Sequence, residues 1–193
     1  MEYAVLNDVI PYNTVDTLYK ELLGTIDWRL QGWTGDLREP LRHWAAYPDY
    51  DEKSHLGRLW EEVRDAVEAD TGIQLVKHRT ILNLYSFGDN SWIHPDSAAG
   101  NEYTVVGFLN PHWDLNWGGD FALVKDGEIL QAFAPKPGKF VIFKSSMLHG
   151  ARPVSREAPV PRFGVAFQCG VKNENLNLKG LAQSGISSVR STL

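Results

Sequence analysis

From Thr80 onward, short runs rich in β-branched and aromatic residues alternate with turn-forming dipeptides at close intervals. A chain punctuated this way builds antiparallel sheets rather than long helices. The spacing predicts strands at Ile81–Phe87, Trp92–Asp96, Tyr103–Asn110, Asp120–Lys125, Glu128–Ala134, Lys139–Ser145, Gly150–Ser155 and Arg162–Cys169. The turns between them are Gly88-Asp89-Asn90, Asn110-Pro111, Gly118-Gly119, Asp126-Gly127 and Pro137-Gly138, and each carries residues suited to tight reversals. Asp126-Gly127 between two apolar runs is a hairpin signal in its own right. Eight short strands so closely spaced predict a sandwich or jelly roll.

Residues 1–78 read differently, as mostly helical. Val15, Leu18, Leu22 and Ile26 recur at helical spacing after Thr14, a candidate N-cap. A second helix is expected from Ser54 to Asp70. Its Leu56, Leu59, Trp60, Val63 and Val67 face away from Glu61, Arg64, Asp65 and Glu68, and Gly72 closes it. The stretch Asp27–Asp51 lacks periodicity and reads as a long loop. It interleaves Trp28, Trp33 and Trp44 with Arg29, Arg38 and Arg42, which suits either a cap on the sheet or a lid over a polar substrate. Residues 172–193 form a polar tail. The expected organisation over 1–193 is one domain, with helical support at 1–78 and a mainly β jelly-roll core at 80–170.

Composition removes several classes. At 193 residues with 43% hydrophobic and 22% charged residues, the chain has ordinary globular content. One cysteine, Cys169, excludes a disulfide scaffold and a multi-cysteine zinc site. It reads as a small buried hydrophobe on the outer face of the last strand. No apolar run approaches the roughly 20 residues needed to span a bilayer, and the start lacks the pattern of a signal peptide. These features lead to an expectation of a cytoplasmic protein with no membrane partner. A net charge of −5 disfavours a nucleic-acid partner.

Six histidines make a search for metal ligands tractable: His43, His55, His78, His94, His112 and His149. His94-Pro95-Asp96 sets an imidazole and a carboxylate two residues apart, on one side of an extended segment. His149 is the best third ligand. Two histidines and one carboxylate leave room on a metal for a chelating acid and for dioxygen, the arrangement of non-haem Fe(II) oxygenases. Taken alone the tripeptide is common and equally suits a polar loop end. Its context adds weight. In the strand from Arg162, Phe163, Val165 and Phe167 share one face while Arg162, Gly164 and Ala166 share the other. A guanidinium beside two small residues makes a pocket for a dicarboxylate.

With these motifs in place the chain resembles the Fe(II)/2-oxoglutarate-dependent dioxygenases, in particular their prolyl 4-hydroxylase-like group. The likeness runs over about residues 80–170. It includes Leu84-Tyr85-Ser86-Phe87-Gly88, His94-Pro95-Asp96, Gly107-Phe108-Leu109-Asn110, Trp113, Gly118-Gly119-Asp120 and Ala134-Pro135-Lys136-Pro137-Gly138. Further on come Val141-Ile142-Phe143, His149-Gly150-Ala151-Arg152-Pro153-Val154 and Arg162. The resemblance implies a double-stranded β-helix, a distorted jelly roll. It implies Fe(II) on His94, Asp96 and His149, 2-oxoglutarate held by Arg162, consumption of O2, and ascorbate as an auxiliary reductant. The implied reaction is oxidative decarboxylation of 2-oxoglutarate coupled to hydroxylation of an unactivated C–H bond.

Two departures from the family pattern stand out. Phe108 occupies a position where relatives often carry a tyrosine whose hydroxyl contacts the cosubstrate, so Tyr85 or Asn83 is expected to supply that bond. The stretch from His149 to Arg162 is longer than in many relatives. Asp96 argues against a halogenase, in which a small residue replaces the carboxylate. For the substrate, Trp92 and Phe108 are candidate cavity walls, and Trp113 and Trp117 read as packing residues. His43, His55, His78 and His112 are assigned surface or structural roles. The substrate classes in view are a prolyl residue or peptide, a free amino acid, or another small metabolite. Two other readings remain open from the residues alone: a non-catalytic jelly-roll binding module, and a cupin-like enzyme using another metal.

Overall fold

The computed structural model describes residues 1–24, 27–31, 43–48 and 54–172. Ten strands and two helices are described. In chain order they are β1 (Tyr3–Leu6), α1 (Tyr12–Gly24), β2 (Arg29–Gln31), β3 (His43–Ala46), α2 (His55–Thr71), β4 (Leu75–Tyr85) and β5 (Glu102–Phe108). After a short 3-10 turn at Leu115–Trp117 follow β6 (Phe121–Lys125), β7 (Glu128–Phe133), β8 (Phe140–Lys144), β9 (Leu148–Ala151) and β10 (Arg162–Val171). The strands form two antiparallel sheets, one in the order β1-β8-β5-β10-β4-β3-β2 and one in the order β7-β6-β9. This is the mainly β jelly-roll architecture with N-terminal helices that the strand pattern implies, with both sheets open.

The period-two alternation of the central strands decides what each face meets. On β10, Phe163, Val165 and Phe167 point into a core shared with the helices, while Ala166 points into the space between the sheets. Likewise Val105 and Ile142 face the helices, whereas Val106, Phe108, Val141 and Phe143 face the second sheet. The helix side receives Val15, Leu18 and Leu22 of α1 and Leu56, Leu59, Trp60, Val63 and Val67 of α2. Each such side chain contributes about 1.5–3 kcal/mol by leaving water. The two helices therefore back the large sheet and hold its inner face rigid, where the functional residues lie.

Helix α2 begins and ends as its sequence dictates. The Ser54 hydroxyl accepts from the Gly57 amide at 3.0 Å, and Gly72 at φ 71° donates its amide to the Glu68 carbonyl. Helix α1 starts earlier than expected. Pro11 lies just before it, and its carbonyl accepts from the amides of Thr14 and Val15, so Thr14 sits in the first turn rather than at the cap. Ile26 falls outside the described residues.

Three other expectations are corrected. The N-terminal region holds strands as well as helices: β1 pairs with β8, and β2 and β3 extend the large sheet beyond β4. The segment 27–51 is thus partly sheet, its edge pairing invisible to a search for periodicity. Trp33, Arg38 and Arg42 lie outside the described residues, as does the tail from 173. The segment Trp92–Asp96 makes only an isolated bridge, His94 with His149, because Pro95 cannot donate to a ladder. The strand expected at Gly150–Ser155 runs instead from Leu148 to Ala151, which puts His149 inside it. Cys169 packs in the core beneath the helices, where burial pushes its thiol up to about 12. No helix among the described residues is long and apolar enough to cross a membrane.

Candidate active site

A cavity of about 280 Å³ opens between the two sheets. Its floor is a two-strand ladder from β4 and β10, in which Arg162 pairs with Tyr85, Gly164 with Asn83, Ala166 with Ile81 and Gln168 with Arg79. All eight residues line the cavity. Glycine and alanine at the middle of this ladder leave the space that larger side chains would fill. The opposite wall comes from Phe121 of β6, His149 and Ala151 of β9, and the segment carrying His94 and Asp96.

His94, Asp96 and His149 meet at one end of this space, their nearest ligand atoms all within 4.8 Å of one another. The backbone brings them together. His94 and His149 exchange a reciprocal pair of amide–carbonyl bonds, both 3.0 Å, and their ring centroids lie 4.7 Å apart. The Asp96 amide donates to the Ser145 carbonyl at 2.9 Å. Gly150 permits this approach: a Cβ there would meet the Ser91 carbonyl at 2.7 Å and that of Trp92 at 3.0 Å. The carboxylate spans both rings, with Oδ1 at 3.8 Å from His94 Nε2 and Oδ2 at 3.6 Å from His149 Nε2. Six-coordinate ligands at metal distances of about 2.1 Å stand about 3 Å apart, so these two gaps need to close by less than 1 Å.

Second contacts fix how these groups present themselves. His94 Nδ1 lies 2.6 Å from the Trp92 carbonyl and His149 Nδ1 2.9 Å from the Met147 carbonyl. An acceptor at Nδ1 places the proton there and leaves the Nε2 lone pair facing the cavity. Burial lowers the pKa of His149 against the opposing pull of Asp96, so the ring is held in its ligating, neutral form. Asp96 Oδ2 accepts from the Thr104 hydroxyl at 2.6 Å, and Thr104 is itself 2.9 Å from the Ser145 hydroxyl. Two imidazoles and one carboxylate with open space beside them are a donor set that fits Fe(II).

Arg162 occupies the other end of the ladder. It is only 2% exposed, its guanidinium lies 4.9 Å from the Tyr85 ring and 5.2 Å from that of Phe108, and it hydrogen-bonds the Tyr85 hydroxyl. Its Nε has no partner among the described residues. Burial pulls its pKa down, with Tyr85 and Asp120 opposing, but a guanidinium stays charged. A buried cation without a bound carboxylate is costly. This one, in the same cavity as the triad, fits the distal carboxylate of a dicarboxylic acid. Gly119, at φ 69°, makes room for it: a Cβ there would meet Arg162 Cδ at 3.0 Å.

Of the residues expected at the site, His94, Asp96, His149, Arg162, Tyr85 and Asn83 are brought together in one cavity. Phe108 is fully buried beneath the guanidinium, and Trp92 is 47% exposed; neither lines the cavity. Trp92 supplies its carbonyl to His94 instead. Sequence reasoning missed several participants. His43, expected to be structural or on the surface, is 8% exposed and stacks on Tyr85 at 4.9 Å. Its Nδ1 is unpartnered among the described residues, and burial pushes its pKa down to about 4. It lines the cavity with Tyr47, Arg79, Thr104 and Gln168. Gln168 and Arg79 were within reach, since each continues the two-residue period of an identified face. Thr104 is a single threonine in a largely apolar strand. His43 left no signal, because its strand lies in an aperiodic stretch.

Comparison with known proteins agrees with this geometry. Residues 80–167 match the family model of the 2OG-Fe(II) oxygenase superfamily. Among solved structures, a Pseudomonas putida prolyl-4-hydroxylase is similar with a TM-score of 0.67 at 19% identity, over 89% of this chain and 93% of that one. A prolyl hydroxylase from Trichoplax adhaerens, in complex with a peptide fragment of the hypoxia inducible factor oxygen degradation domain, is similar with a TM-score of 0.70. Identity there is 15%, over 96% of this chain and 88% of that one. HygX from Streptomyces hygroscopicus, with nickel and 2-oxoglutarate bound, has a TM-score of 0.64 at 14% identity, covering 88% and 82%. At these identities the likeness shows the fold. No curated protein matches the chain.

Proposed function

We propose that the chain, whose residues 80–167 match the 2OG-Fe(II) oxygenase superfamily, uses that family's cofactors Fe(II) and 2-oxoglutarate and is a hydroxylase of an unactivated C–H bond. The observation that carries the reading is the buried Arg162, whose Nε has no partner among the described residues, in the same cavity as the triad. His94, Asp96 and His149 hold the iron through two Nε2 atoms and one carboxylate oxygen. Arg162 grips the distal carboxylate of 2-oxoglutarate, oriented by Tyr85 and by the two ring faces that flank it. Gly164 and Ala166 leave the length of floor between Arg162 and the metal open. Together the bound Fe(II) and 2-oxoglutarate supply the oxidising chemistry, with succinate and carbon dioxide as the cosubstrate's products.

The remaining contributions are those of the chain itself. Thr104 and the Trp92 and Met147 carbonyls set the orientation of the three ligands. Phe121 and Phe143, whose rings lie 5.6 Å and 4.6 Å from that of His149, wall the metal from water on the inner side, which protects reactive species. Phe108 has no hydroxyl to offer the cosubstrate. Its place is taken by groups at the same end of the ladder, namely Tyr85, Asn83 and the Nδ1 of His43. The chain acts as one domain in the cytoplasm, and its substrate is a prolyl residue in a peptide, a free amino acid or a small metabolite, with no nucleic acid or membrane involved.

Release of succinate from 2-oxoglutarate in the presence of Fe(II) and O2 tests the reading, with Asp96→Ala as the control. The expected result is metal-dependent turnover in the native chain and its loss in a variant that still unfolds cooperatively. Turnover that persists in Asp96→Ala would overturn the ligand assignment, and a native chain that binds no metal would instead favour a binding module.

A further inference from the structure

We propose that Arg79 and Gln168 form a second anion site at the metal end of the cavity, and that the substrate is a small carboxylic acid held there by its carboxylate. The inference rests on the function proposed above and names the substrate class of that same site. The ladder of β4 and β10 fixes the geometry. Arg162 and Tyr85 stand at one end and Gln168 and Arg79 at the other, six residues along each strand, or about 20 Å at 3.3 Å per residue. The metal end is identified by Asp96, which is bonded to Thr104; Thr104 pairs directly with Gln168 across β5 and β10. A cosubstrate stretched from the metal towards Arg162 therefore leaves the Gln168 and Arg79 end for the substrate.

The charge of the lining points the same way. Among the described lining residues two guanidinium groups, Arg79 and Arg162, face a single carboxylate, Asp96, and the metal engages that carboxylate. The chain as a whole carries −5, so the local excess of positive charge is a property of the cavity. Arg162 accounts for one anionic group. Arg79 makes no ion pair with any described residue. It lies with its guanidinium 5.6 Å from the centre of the Tyr47 ring, a contact that leaves the planar fork free to bind a carboxylate with two parallel bonds. The amide of Gln168 adds donors beside it. A cavity of about 280 Å³ shared with the cosubstrate has room for a compact acid, which favours a small molecule over a polypeptide.

The test uses the anaerobic complex of the full chain with Fe(II) and 2-oxoglutarate, whose visible charge-transfer band shifts when a substrate displaces water. The probes are the free L-amino acids, the same amino acids as carboxamides, and end-capped peptides containing glutamate. At least one free acid is expected to shift the band at a concentration ten-fold or more below that of its amide. That preference is lost in Arg79→Ala and only partly kept in Arg79→Lys, which retains the charge but not the two parallel bonds, while the band in 2-oxoglutarate alone stays as in the native chain. Equal response to acid and amide, a preference that survives Arg79→Ala, or the absence of any response to the free acids overturns the inference. A capped peptide that outcompetes every free acid overturns the small-molecule assignment. Failure of the native chain to form the band at all refutes the hydroxylase reading itself, a result distinct from each of these.

Discussion

Replacing Arg162 by Met separates the cost of the buried cation from its use. In the protein without ligand, removing this charge from water costs several kcal/mol. Against that stand two ring faces, at 4.9 Å and 5.2 Å, worth about 2 kcal/mol each when desolvated, and one bond to Tyr85 worth about 1 kcal/mol. The terms nearly cancel, and Met fills most of the same volume. Arg162→Met is thus expected to change the ligand-free stability by no more than about 1 kcal/mol, or roughly 2–4 °C in a chain of this size. With ligand the outcome differs. At a 2-oxoglutarate concentration 100 times its Kd, the native chain gains about 2.7 kcal/mol, roughly 5–11 °C. Deleting one partner of a buried charge pair costs about 2–5 kcal/mol of affinity, so at that same concentration the variant retains under about 1 kcal/mol of the gain. Thermal unfolding in Mn(II), which supports binding without turnover, reads both quantities. A ligand-free loss above about 10 °C would show a structural cation, and an undiminished 2-oxoglutarate shift would refute the carboxylate assignment.

Three further outcomes follow from the same contacts. Thr104→Val removes the hydroxyl that Asp96 accepts from at 2.6 Å and is expected to weaken metal binding about 10- to 100-fold in a direct titration, with the fold intact. Gly119→Ala puts a methyl 3.0 Å from Arg162 Cδ at a positive φ; it is expected to raise the Kd for 2-oxoglutarate measurably while leaving metal affinity unchanged. His43, with its pKa pushed down from 6.5 to about 4 by burial, takes up its proton more readily when unfolded. It therefore makes stability highest above pH 6.5, lowers it as pH falls from there towards 4, and adds no slope below, for a total of about 3 kcal/mol. Denaturant unfolding of the metal-free chain and of His43→Asn across this range gives a difference curve that isolates His43, since the buried His149 contributes to both.

How much of this was legible in the sequence depended on periodicity. The alternation of Arg162, Gly164 and Ala166 with Phe163, Val165 and Phe167 announces both faces of β10, and the structure places them as read. The helix of Leu56, Leu59, Trp60, Val63 and Val67 is equally explicit, down to its caps at Ser54 and Gly72. The residues that escaped detection lie where pairing partners, not local pattern, decide the structure. β2 and β3 are three and four residues long; β3 exists because β4 offers it an edge, and β2 because β3 then does. With β3 comes His43, which no spacing connects to Tyr85. The same cause explains the segment from Trp92, whose apolar start suggests a strand. Held by one isolated bridge and not by a ladder, it leaves its indole about half in solvent instead of on the cavity wall.

The central claim is that one cavity holds Fe(II) at His94, Asp96 and His149 and 2-oxoglutarate at Arg162. Anaerobic titration of the metal-free chain with Fe(II) and 2-oxoglutarate tests it most directly, through the visible charge-transfer band of the chelate. The expected result is a saturable band that is absent in His94→Ala and requires much higher 2-oxoglutarate in Arg162→Met. Iron binding without a band, or a band that forms equally well in either variant, would contradict it.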